Sequence, residues 1–184
     1  MLKELKKITK KYNESFSLVK QTYKRNAILV PTGTIMLQNY YVDSGILKCC
    51  VYNEEVQKEA IIDLLSTGDA ILPFRTPTYI MPMPFNIQVI EDAVIYSISS
   101  DIFEALKEKE PILQELMQLD LQRIFTRFPE RFKINVYPDI LTRYEKLLEM
   151  YPFLNSVSDK DVAAIIGTDR TTINRIRAER NKKT

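Results

Sequence analysis

Between residues 16 and 98 the apolar positions come in short β-branched and aromatic runs separated by turn residues. The runs are "AILVPTGTIM", "NYYVDSGILKCCVYN", "KEAIIDLLSTGDAILPF" and "NIQVIEDAVIYSIS". Gly33, Gly45 and Gly68 sit in the turn-like settings "PTG", "DSG" and "STGD", punctuation that ends strands. No helical stretch separates the runs, so parallel βαβ units are excluded and an antiparallel sandwich, roll or barrel is predicted. Within "FRTPTYIMPMPF" the prolines at 73, 77, 82 and 84 forbid a regular central strand, because each lacks a ladder N–H. That apolar segment is predicted to be a loop folded over either the sheet itself or a ligand.

Outside this region the periodicity is helical. Leu2, Leu5 and Ile8 among lysines predict a basic-faced first helix. "SSDIFEALKEKE" predicts a helix with Ser100 or Asp101 near its cap, and Pro111 suits the first turn of the next. That next segment carries Ile112, Leu113, Leu116, Met117, Leu119, Leu121, Ile124, Phe125 and Phe128 on more than one face. Two apolar faces predict packing on its own domain and on a partner helix. Pro129 and Pro138 are expected to break or kink the path, and "PDILTRYEKLLEMY" predicts a further amphipathic helix. The organisation is α+β, with a β domain over 1–110, a long connecting helix over 111–135 and a small helical domain over 136–184.

The last domain carries the chemistry. Ser158 and Asp161 resemble a capping box ahead of Val162, Ala163, Ile165 and Ile166. Gly167 suits the left-handed residue that ends a helix, and Asp169 suits the cap of the next. The second helix buries Ile173 and Ile176, which leaves Thr171, Asn174 and Arg175 facing outward with Arg170 at the N-terminal end. Arginine, threonine and asparagine at such positions are the side chains that read base edges in a major groove. Arg177, Arg180, Lys182 and Lys183 are expected to contact phosphates.

Charge and composition narrow the classes. The net charge is only +2, with 45% hydrophobic and 27% charged residues, so a basic surface must be local. It is local: residues 168–184 hold six Lys/Arg and two Asp/Glu. The chain has no histidine, which removes the commonest general base and most zinc chemistry; no enzyme, metal or cofactor is expected. Cys49 and Cys50 are adjacent and on a strand would point to opposite faces, which makes them poor partners for one disulfide or one metal; reduced thiols of a cytoplasmic protein are expected. No apolar run reaches the length of a membrane span.

This order of parts resembles the Crp/Fnr transcription regulators over nearly the whole chain. The likeness is carried by "NAILVPTG…YYVDSGILK", by "STGD…NIQVIEDAVIYSIS" with its "ED" turn, and most specifically by "RYEKLLEMYP…VSDKDVAAIIGTDRTTINRIR". The resemblance implies a cyclic-nucleotide-binding-like β-roll, a dimerisation helix and a C-terminal helix–turn–helix, with double-stranded DNA, a second copy of the chain and RNA polymerase as partners. It implies base contacts by Arg170, Thr171 and Arg175.

The departures bear on effectors. Relatives that bind cyclic nucleotides carry a Gly-Glu pair after the "GD" turn and an arginine before the last strands. Here Leu72 and Pro73 stand at the first place and Met83 at the second. A buried phosphate with neither cation nor amide nest is costly, so tight binding of cAMP or cGMP is not expected, and the effector remains unassigned. The stretch between "MYPFL" and "SVSDKD" is too short for the strand hairpin of many relatives. The competing reading is a ligand-binding or protein-interaction module whose helix–turn–helix no longer meets DNA.

Overall fold

A computed structural model of the chain describes residues 1–12, 16–76 and 78–182. Pro77 and Lys183 of the expectations above therefore lie outside the described residues. The elements run α1 (Leu2–Lys11), β1 (Val19–Tyr23), β2 (Ile28–Val30), β3 (Gln38–Asn53), β4 (Lys58–Leu65), β5 (Ala70–Ile71), β6 (Asn86–Ser99), α2 (Ser100–Lys109), α3 (Ile112–Ile134), α4 (Ile140–Met150), a 3-10 turn (Pro152–Ser156), α5 (Asp159–Ile166) and α6 (Arg170–Asn181). The strands make one sheet in the order β1-β6-β3-β4, with β2 also on β6 and β5 on β3. The described pairings are antiparallel, from Val19 opposite Ser97 to Tyr23 opposite Ala93.

Two compact units divide the chain: Met1–Cys49 with Leu65–Ile124, and Cys50–Leu64 with Phe125–Thr184. The first has its core where α1 and α2 meet the sheet: Leu5, Ile8, Tyr41, Ile98, Phe103, Leu106 and Leu113 are buried together. Leu5 and Ile8 are three apart and therefore on one face of α1, as their spacing predicts. The Pro-rich segment caps this unit. Met83 is buried and tied by its backbone to Gly33 (2.8 Å) and Thr34 (2.9 Å), and a bridge between Arg75 and Ile80 closes a small loop.

Three local expectations are corrected. "DSG" and "ED" are not turns; Gly45 lies inside β3 and Glu91-Asp92 inside β6. The two sites meet: a β-carbon on Gly45 would lie 2.6 Å from the Ala93 Cα and from the Asp92 carbonyl oxygen. Glycine serves there to let two backbones approach, a use that composition alone does not separate from a turn. Asp92 instead accepts from the Arg25 amide (2.9 Å) and pairs with Lys24 (2.7 Å). Third, α3 does not break at Pro129 but continues through it to Ile134. The missing N–H costs one intrahelical bond, a loss the 23-residue helix carries without ending there.

Candidate nucleic-acid interface

The helical part of the second unit is assembled from its caps. The Asp139 carboxylate accepts from the Thr142 amide (2.7 Å) and starts α4. Ser158 accepts from the Asp161 amide (3.2 Å) and donates its hydroxyl to the Asp161 carboxylate (2.6 Å). The reciprocal bond of a capping box is thus made to the serine hydroxyl rather than to its backbone. The 3-10 turn stands where the short "MYPFL…SVSDKD" stretch excluded a strand hairpin.

Val162, Ala163, Ile165 and Ile166 are buried, and α5 ends at Gly167 with φ 78°. The Gly167 and Thr168 amides both donate to the Ala163 carbonyl, at 2.9 and 3.0 Å, closing the helix in left-handed geometry. Asp169 then accepts from the Thr172 amide and hydroxyl, each at 2.8 Å, and opens α6. Those bonds hold its carboxyl below the usual carboxylate range. So a turn of three residues, 167–169, separates α5 from α6.

On α6, Ile173 and Ile176 are buried, while Arg170, Thr171, Asn174, Arg175, Arg180 and Lys182 are exposed. Rotation by about 100° per residue sets Thr171, Asn174 and Arg175 away from the two isoleucines. Arg170 follows directly on the Asp169 cap, at the end where backbone N–H groups carry partial positive charge. The structure therefore brings Arg170, Thr171, Asn174 and Arg175 onto one outward face, with Lys182 at the far end.

Arg177 differs from the other five. Its guanidinium pairs with Asp159 at 2.7 Å and donates to the carbonyls of Leu154 (2.8 Å) and Val157 (3.0 Å). It lies against the Tyr144 hydroxyl at 3.4 Å. Two more arginines hold the end of α5, Arg131 donating to the Ile165 carbonyl and Arg143 to that of Ile166 (3.5 Å). Sequence reasoning missed Arg131 and Arg143, since a basic residue on an amphipathic helix carries no sign of a carbonyl partner far along the chain.

A second surface lies on α3. Phe125, Phe128 and Phe132 are 72%, 52% and 68% exposed, and helical geometry puts them within a stripe about 60° wide. In the first unit the Met83 side chain is buried, at 2% exposure. Arg75 lies 4.0 Å from Glu104. Among the described residues no cluster of three metal-ligating side chains occurs, and no helix is long and apolar enough to cross a membrane.

No family model matches the chain, and no curated protein matches it in sequence. Solved structures do match in fold. FixK2 from Bradyrhizobium japonicum aligns with a TM-score of 0.75 at 10% identity, covering 91% of this chain and 86% of its own. A cyclic nucleotide-binding domain containing protein from Listeria monocytogenes aligns at 0.75 and 14% identity, covering 99% and 89%. A CRP-family transcriptional regulator from Thermus thermophilus aligns at 0.69 and 11%, covering 89% and 85%. The chain has the fold of the Crp/Fnr regulators along most of its length.

Proposed function

We propose that the chain is a cytoplasmic, sequence-specific DNA-binding transcription regulator that acts as a homodimer and reads a near-palindromic site. One observation carries this reading: the outer face of α6 holds Arg170, Thr171, Asn174 and Arg175 opposite buried Ile173 and Ile176. Arg175 suits a bidentate contact to guanine and Asn174 one to adenine, while Thr171 offers a hydroxyl and a methyl to either. Lys182 is exposed and suits a phosphate contact. Arg177, already engaged by Asp159 and two carbonyls, serves better as a clamp on α6 than as the phosphate contact its type suggests.

The aromatic stripe on α3 supplies a self-complementary face for a second copy. Pairing through it would set two α6 helices in successive major grooves about 34 Å apart. RNA polymerase belongs to the same reading as a further partner of a regulator bound at a promoter. Cyclic nucleotides do not: the resemblance puts Met83, a buried apolar side chain, where a cation would be needed, and a desolvated phosphate without one is too costly. Calorimetric titration with cAMP is expected to give no micromolar binding, and such binding would overturn this part.

Selection from a randomised duplex library tests the whole. Enrichment of a two-fold symmetric sequence with half-sites one helical turn apart is expected. A library that emerges unenriched would replace this reading with that of a ligand-binding or protein-interaction module.

A further inference from the structure

The second unit contains a buried charge cluster that none of the proposed DNA contacts uses. Asp63, near the end of β4, has a side chain 17% exposed in an otherwise apolar strand end. Its carboxylate accepts from the Tyr151 hydroxyl and pairs with Arg127 of α3 at 2.9 Å. Tyr151 follows the last turn of α4 and is 2% exposed. Burial and the Asp63 charge both push its phenol well above the ordinary tyrosine range, so it stays a donor. One turn beyond Arg127, Arg131 is 5% exposed. Burial lowers the ordinary value of its guanidinium, and the oxygens of Tyr151 and Asp63 act against that loss.

From this cluster two routes lead to α6. Arg131 donates to the Ile165 carbonyl, two residues before the Gly167 turn that aims α6. Tyr151 starts the 3-10 turn, whose Leu154 carbonyl, with that of Val157 just beyond, holds Arg177 of α6. Asp63 is the residue where the routes join. A carboxylate paired with a partly buried arginine, one helical turn from a buried one, fixes geometry strongly, since removing it leaves positive charge without its counter-ion.

We infer that Asp63 is a positioning residue for DNA reading: from the β3–β4 hairpin it sets the direction of α6 through Arg127, Arg131 and Tyr151. This rests on the DNA-reading function proposed above. It makes the hairpin part of the recognition apparatus although its residues need not touch a base. Positioning acts on base contacts, which need alignment, more than on phosphate contacts, which tolerate displacement.

The test uses the full chain with Asp63→Asn, Tyr151→Phe and the double variant. Binding is measured to the selected duplex and to a random duplex, well below each variant's melting temperature. Asp63→Asn is expected to weaken the selected duplex about tenfold and the random duplex less than twofold, because a misaimed helix loses about one base contact. Tyr151→Phe should move the same ratio by a smaller factor, and the double variant should be no worse than Asp63→Asn alone, since both act through one network. An unchanged ratio of selected to random binding in the folded variants would overturn the inference; a merely structural role would lower both affinities alike. If Asp63→Asn does not fold, Tyr151→Phe decides alone. If the wild-type chain selects no sequence, the DNA reading fails, and amide exchange over 170–181 decides the positioning claim. Faster exchange there in Tyr151→Phe supports it, and unchanged exchange overturns it.

Discussion

Arg175 and Arg177 stand two positions apart on α6, about 200° around its axis, and that rotation separates an exposed guanidinium from one held by Asp159 at 2.7 Å. The two should respond differently to probing. Arg175→Ala is expected to cost about 1–3 kcal/mol on the selected duplex and relax preference at one base pair. Lys182→Ala should weaken all duplexes alike and flatten the salt dependence by about one counterion. Quantitative gel shifts across a salt series check both, and identical behaviour of the two variants would remove the division between base and phosphate contacts.

In the first unit, Asp120 on α3 is 4% exposed, with Arg123 at 3.6 Å and the Tyr41 hydroxyl and Asp69 among its charged and polar surroundings. Burial lifts its carboxyl above the ordinary range. A raised folded value means that the protonated form suits the fold, so stability is full at low pH and is lost as pH rises through that value. Asp120→Asn is therefore expected to melt at a higher temperature than the wild type at pH 7. The gain should shrink as pH falls toward the ordinary carboxylate range, and a pH-dependent melting series measures it.

Between elements, Gly45 and the Asp92–Ala93 backbone decide how closely β3 lies against β6. A β-carbon at Gly45 would sit 2.6 Å from fixed backbone atoms at a φ of 95°, whereas one at Gly33, with φ 79°, would meet nothing within 4 Å. Gly45→Ala should thus cost about 3 kcal/mol or more from strain and overpacking together. Gly33→Ala should cost only about 1 kcal/mol, from strain alone. Urea denaturation of the two variants separates them.

Single elements are also where local sequence logic reads best. Ser158, Gly167 and Asp169 act within a few residues of themselves, so their caps and turn are legible from spacing alone. The "DSG" and "ED" stretches misled because Gly and Asp mark a close backbone approach or an ion pair as readily as a turn. Only the strand opposite tells these apart. At Pro129 the expected alternatives were a break or a kink, and the helix does not break there.

For the molecule entire, the exposed Phe125, Phe128 and Phe132 are the largest apolar side chains that α3 leaves uncovered, and the homodimer proposed above would pair through them. Phe128→Glu would put a charge into each copy of a self-complementary face. It is expected to turn a dimer into a monomer in sedimentation velocity. The loss on a two-half-site duplex should reach ~100-fold, the avidity that tethering two readers supplies. A variant that stays dimeric with unchanged binding would move the interface elsewhere.

Residue order alone settles the choices that close within one turn or one strand. These are the β-rich first half, the helices from α2 onward, the caps of α5 and α6, and the outward face of Thr171, Asn174 and Arg175. Which charges meet is settled only by packing. Asp63 and Tyr151 are 88 residues apart in the chain, and Arg177 finds its carbonyls 20 and 23 residues before it. Met83 fills the first unit because the Pro-rich loop doubles back onto Gly33 and Thr34. Periodicity and capping are short-range and leave a trace in the spacing of residues. Long-range closure depends on how the elements pack, and a lone aspartate in an apolar run carries no sign of the partner that packing will bring to it.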